Sequence, residues 1–100
     1  MNVSYEQARD LVRTTLEPDW TNGTFCLDDR QIVENDELFV FEVGALEHIE
    51  GGDASFAVPG GVTVVYKEDG RIDSLPSLTV ATDPTIHIRQ NPNPTFLAQR

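Results

Sequence analysis

The stretch Leu38-Phe39-Val40-Phe41-Glu42-Val43 is the densest aromatic and β-branched run in the chain, and it constrains the fold more than any other. Strand alternation puts Phe39, Phe41 and Val43 on one face, with Leu38 and Val40 on the other until Glu42 signals water. Both faces are apolar at the start, so the run predicts a central strand with a helix over one side. A second run of the same kind, Val62-Thr63-Val64-Val65-Tyr66, follows a loop rich in glycine and acid.

The elements around these two strands follow from local signals. Ser4 and Gln7 have capping-box spacing. Tyr5, Ala8, Leu11, Val12, Thr15 and Leu16 then recur with helical period, while Glu6, Arg9, Asp10 and Arg13 take the other face. A helix over 5–16 is predicted, stopped by Pro18, with Trp20 plugging one end of the core. Thr24 to Val33 reads as the first strand, with Phe25 and Leu27 inward. Its alternation slips at Asp28-Asp29-Arg30, which a β-bulge explains and a loop would explain as well. Glu34-Asn35-Asp36-Glu37 turns the chain into the central strand, which is expected to run on to His48.

The long loop from Glu50 to Gly61 carries Phe56, Ala57 and Val58, apolar enough to dock on the core rim. Val62, Val64 and Tyr66 alternate inward, and Asp69-Gly70 is a hairpin turn signal. Ile72 to Leu75 is a fourth strand that Pro76 confines to an edge. Residues 76–100 read as an extended C-terminal segment with a final strand at Thr85-Ile86-His87-Ile88-Arg89, anchored by Phe96 and Leu97. That strand can pair within its own chain or across a dimer. The fold class is α+β: an N-terminal helix packed on an antiparallel sheet of four to five strands.

One hundred residues suit a single domain spanning 1–100. No apolar run approaches the roughly 20 residues of a membrane span, and no secretory leader opens the chain, so a cytoplasmic protein is expected. Cys26 is the one cysteine and, between Phe25 and Leu27, reads as a strand thiol. His48 and His87 are the two histidines, and no zinc-ligand spacing accompanies them. His48, Glu50 and Asp53 are the one trio that could converge, under the glycine loop. Phosphate loops and nucleophile elbows are missing. Asp28-Asp29 and Asp36-Glu37 look exposed, with ordinary carboxyl pKa values, which does not favour acid–base catalysis. No catalytic residue, cofactor or metal is assigned.

Seventeen acids against seven basic residues give a net charge of −10, which repels nucleic acid and anionic lipid and makes a basic protein the natural partner. Nine acids lie between Asp28 and Asp53, with Arg30 the one cation among them. Such a stretch is either a solvated face or a docking face, and spacing alone does not separate the two. As a docking face it would use Glu34, Asp36, Glu37, Glu42, Glu47, Glu50 and Asp53. A small-molecule or metal-binding domain and a chaperone-like interaction module are the alternative readings.

Four segments in order carry a family resemblance: Tyr5-Glu6-Gln7-Ala8-Arg9-Asp10-Leu11-Val12, Phe39-Val40-Phe41, Gly52-Asp53, and Pro59-Gly60-Gly61-Val62-Thr63-Val64-Val65-Tyr66-Lys67-Glu68-Asp69-Gly70. Together they resemble the immunity protein 35 (YrhB-like) family over about residues 4–75. Two positions depart from it: Glu37-Leu38 stands where the family has Gly-Trp, and Ala57-Val58-Pro59-Gly60 where it has Gly-Asn-x-Pro. The resemblance implies a small bacterial α+β protein that binds and neutralises a cognate toxin, with no catalytic residues and no cofactor.

Overall fold

The computed structural model describes residues 2–56 and 61–96. Helix α1 (Tyr5–Leu16) starts at the predicted capping box: the Gln7 N–H donates to the Ser4 hydroxyl at 3.1 Å, and the Ser4 N–H donates to the Gln7 side chain at 2.8 Å. Tyr5, Ala8 and Val12 are its buried residues. Leu11 and Thr15, expected on the same stripe, are exposed. Consecutive residues are about 100° apart, so Leu11 sits more than a quarter turn from Val12, at the margin of the stripe beside Gly70. Arg9, expected on the solvent face, has a side chain only 12% exposed.

The sheet is antiparallel throughout, formed by β1 (Phe25–Glu34), β2 (Leu38–Ala45), β3 (Val62–Tyr66), β4 (Ile72–Leu75) and β5 (His87–Gln90), in the order β4-β3-β2-β1-β5. Two short helices, α2 (Leu46–Ile49) and α3 (Ser77–Ala81), complete an α+β fold. The aromatic strand is central. Tyr5 stacks on Phe41 at 5.2 Å and meets Phe39 edge-on at 5.4 Å, and these rings join Ala8, Val12, Leu27, Ile32 and Val65 in one core.

The alternation slip in β1 is a bulge within a continuous strand. Asp28 pairs with Glu42 and Val33 with Val40, so β1 advances five residues where β2 advances two. The extra residues let Leu27 and Ile32, an odd number of positions apart, both join the core beneath α1. The β1–β2 turn is held by Asn35, whose side-chain oxygen accepts the N–H groups of Glu37 and Leu38 at 2.8 and 2.9 Å. The β3–β4 turn uses Gly70 at φ +76°, a left-handed conformation that suits glycine, as the Asp-Gly signal predicts.

Several sequence expectations are corrected. The second strand stops at Ala45, and His48 lies in a helical turn instead. Leu46 and Ile49 are three apart, which suits a turn of helix, and Gly52 at φ +70° then ends it. In β3 it is Val65, the partner of Phe39, that meets α1. Val64 is fully buried on the opposite face, so β3 is apolar on both sides. Segment 76–100 is not simply extended, since it contains α3 before β5. The final strand pairs with β1 of its own chain. Phe56 is half-buried and Phe96 buried, while Ala57, Val58 and Leu97 lie outside the described residues.

Candidate partner-binding face

The acids of Asp28–Asp53 divide into two groups. The first is held by hydrogen bonds within the chain, and two of its members are buried. Asp29, read from sequence as exposed, is 0% exposed. It shares the core-facing side of β1 with Leu27, where its carboxylate accepts the Thr95 and Phe96 N–H groups at 2.9 and 2.8 Å and the Thr95 hydroxyl at 2.7 Å, with the Arg9 guanidinium 3.5 Å away. Burial pushes its pKa up, but these donors outweigh it and hold the carboxyl below the ordinary range.

Glu34 is similarly enclosed. Its two oxygens accept from Lys67 at 2.9 Å and Arg89 at 2.5 Å, and Lys67 also lies 4.6 Å from the centre of the Phe39 ring. Burial raises its pKa and the two cations more than reverse that. Asp28 is held low first by its hydrogen bond from Arg30, at 2.7 Å, so the one cation of the acidic stretch is taken locally. Glu47 accepts the Thr24 N–H at 2.9 Å and the Thr24 hydroxyl at 3.1 Å, which joins α2 to the start of β1. These contacts lower its pKa, the Thr24 N–H foremost.

The second group is open to solvent in whole or in part. Asp36 and Glu37 project at the β1–β2 turn, Glu42 is exposed on the sheet face away from α1, and Glu50 is half-buried after α2. Asp53 is exposed, its carboxylate accepting the Ser55 hydroxyl at 2.6 Å. Among the described residues none of these five forms an ion pair.

Glu42 marks a groove of about 540 Å³ on the sheet face away from α1. Val33, Val40 and Val62 line it together with Asp28, Arg30 and Gln31. Glu42 and Glu50 act electrostatically on both Arg30 and the Cys26 thiol, so both acids belong to its surroundings. The groove therefore has an apolar floor and an acidic margin whose single cation is already paired to Asp28. It was not legible as a groove in the sequence, because it arises where the bulge of β1 carries Arg30 past Glu42.

Among the described residues no three His, Cys, Asp or Glu side chains gather as metal ligands. His48, Glu50 and Asp53 sit on a helical turn and the loop after it, not on one strand face. Asp28, Asp29, Glu34, Glu47, Asp53 and Asp83 are held below the ordinary carboxyl range, which suits fixed anions better than proton donors. No helix among the described residues is long and apolar enough to cross a membrane.

A scan against protein-family models, a search of curated proteins and a search of solved structures each found no match.

Proposed function

We propose that the chain is a non-catalytic protein-binding module, a cytoplasmic bacterial immunity protein that neutralises a cognate basic toxin by direct binding. The observation that carries this reading is the groove on the sheet face away from α1. Val33, Val40 and Val62 offer apolar contact, while Glu42 and Glu50 leave negative charge outside any ion pair among the described residues. A cationic protein meets both demands, and opposite charge chiefly speeds its approach and fixes its register. The toxin as partner comes from the family resemblance.

The test is co-expression with the toxic product of a neighbouring reading frame. The expected result is restored growth and a purified complex that Glu42→Lys/Glu50→Lys weakens. Undiminished toxicity, with both proteins present and folded, overturns the reading.

A further inference from the structure

The core cluster of Tyr5, Ala8, Val12, Leu27, Ile32, Phe39, Phe41 and Val65, and the partly buried Val3, Leu16, Phe25, Val43 and Ile72 packed on it, all precede Pro76. The C-terminal segment adds nothing to that cluster. α3 has no buried residue, and the four residues of β5 are all exposed, Ile88 at 61%. From Ser77 to Phe96 the buried residues are Asn91 and Phe96. Segments that bury so little apolar surface open at a small fraction of the free energy of global unfolding.

Most of the polar ties to the segment come from one seat, the bulged half of β1, and the Arg13 guanidinium of α1 adds a hydrogen bond to the Thr95 hydroxyl at 3.2 Å. Gln31, Ile32, Val33 and Glu34 pair with Gln90, Arg89, Ile88 and His87. Arg89 donates to Glu34, the Asn35 side chain donates to the Thr85 hydroxyl at 3.1 Å, and the Asn91 side chain donates to the Asp29 carbonyl at 2.6 Å. Asp29 then holds Thr95 and Phe96, and Arg30 lies 4.3 Å over the centre of the Phe96 ring. The seat is thus a strand edge flanked by two carboxylates, occupied by a strand that carries a cation at one and N–H and hydroxyl donors at the other.

We propose that Ser77–Phe96 is a latched strap which opens as a unit while α1 and β1–β4 stay folded, and that the uncovered Gln31–Glu34 edge accepts an extended cationic strand in its place. Glu34 selects the cation, in the position that Arg89 holds, and Asp29 selects the following backbone and hydroxyl donors. Adding a strand to an exposed sheet edge draws affinity from main-chain hydrogen bonds. The acceptor role rests on the reading that the partner is a basic protein. The opening itself is measured without any partner and stands or falls separately.

Native-state hydrogen exchange on the full chain tests the opening. Amides of 87–90 should exchange at least about 100-fold faster than those of β2 and β3, since sub-global opening spans that range. Equal protection in β5 and β2 overturns the strap. The acceptor is tested in the full chain carrying Arg89→Glu and Thr95→Ala, which loosen the strap and leave Glu34 and Asp29 in place. A synthetic peptide of native residues 84–96 should bind it saturably and restore protection at 31–34, whereas the same peptide with Arg89→Glu should not. Absence of binding by the native peptide at millimolar concentration, or equal binding by both peptides, overturns the acceptor. If the double variant fails to fold, the core depends on the strap and the proposal is overturned.

Discussion

Asp29 and Thr95 stand sixty-six positions apart and are joined by three hydrogen bonds, two from the Thr95 N–H to the two carboxylate oxygens at 3.0 and 2.9 Å and one from its hydroxyl at 2.7 Å. Phe96 adds a further N–H at 2.8 Å, and the Arg9 guanidinium supplies the opposing charge. A carboxylate with no solvent exposure is tolerable only when its oxygens are met in this way.

Replacing it should therefore be costly. Asp29→Asn keeps the shape but turns an amide against N–H donors and strips Arg9 of its counter-charge, which should destabilise by about 3 kcal/mol. For a domain of this size that is a fall in melting temperature of about 12–24 °C. Because the folded pKa of Asp29 is depressed, its stabilisation is complete above the unfolded value of about 3.9 and is lost as pH falls through the folded value. Thermal melts between pH 7 and 2 should show the variant with a shallower acid limb than the wild type. Parallel curves would contradict the assignment.

Glu34 offers a comparison between its two cations. The Lys67 side chain is 19% exposed and lies over Phe39, whereas that of Arg89 is 52% exposed. Lys67→Met should cost about 1–2 kcal/mol, as the loss of a partly buried charged hydrogen bond. Arg89→Met should cost about 0.5 kcal/mol or less, because solvent screens that pair. Urea denaturation of the two variants measures the difference, and equal costs would refute the ranking.

Cys26 is buried in β1, and its thiol is pushed up to about 11, by burial first and then by the carboxylates of Asp28 and Glu42. At pH 8 its thiolate fraction is about a hundredfold below that of an unperturbed thiol, so a thiol reagent should label the native protein on the order of that much more slowly. Denaturant should abolish the protection. Rapid native labelling would show that this part of the strand is open.

Charge reversal at Glu42 and Glu50 should change melting by no more than about 0.5 kcal/mol, as expected for charges outside any ion pair. Association with a basic partner should slow at low salt, and the difference should shrink near 0.1 M salt, where the screening length is about 10 Å. Stopped-flow mixing across salt concentrations reads this directly. Glu47 is left out of the reversal because it anchors Thr24. An association rate unchanged at every salt would make the groove margin a solvated surface.

Elements whose cause is local were legible in the chain before it folds. The Ser4–Gln7 box starts α1, the period of Tyr5, Ala8 and Val12 seats it, Gly70 closes the β3–β4 turn, and two-sided apolarity makes Leu38–Val43 the central strand. The slip at Asp28-Asp29-Arg30 was also legible, because alternation of period two admits no odd offset without an extra residue. Leu46–Ile49 was harder, since a short apolar stretch fits a strand end and a helical turn equally well until Gly52 is given its conformation. Which acids are surface charge depends on contacts between distant parts of the chain. Asp29 and Asp36 differ little in local sequence, yet one is sealed under Thr95, Phe96 and Arg9 while the other projects into solvent. A buried carboxylate is stabilised by donors that converge in space, and those donors come from α1 and from the far end of the chain.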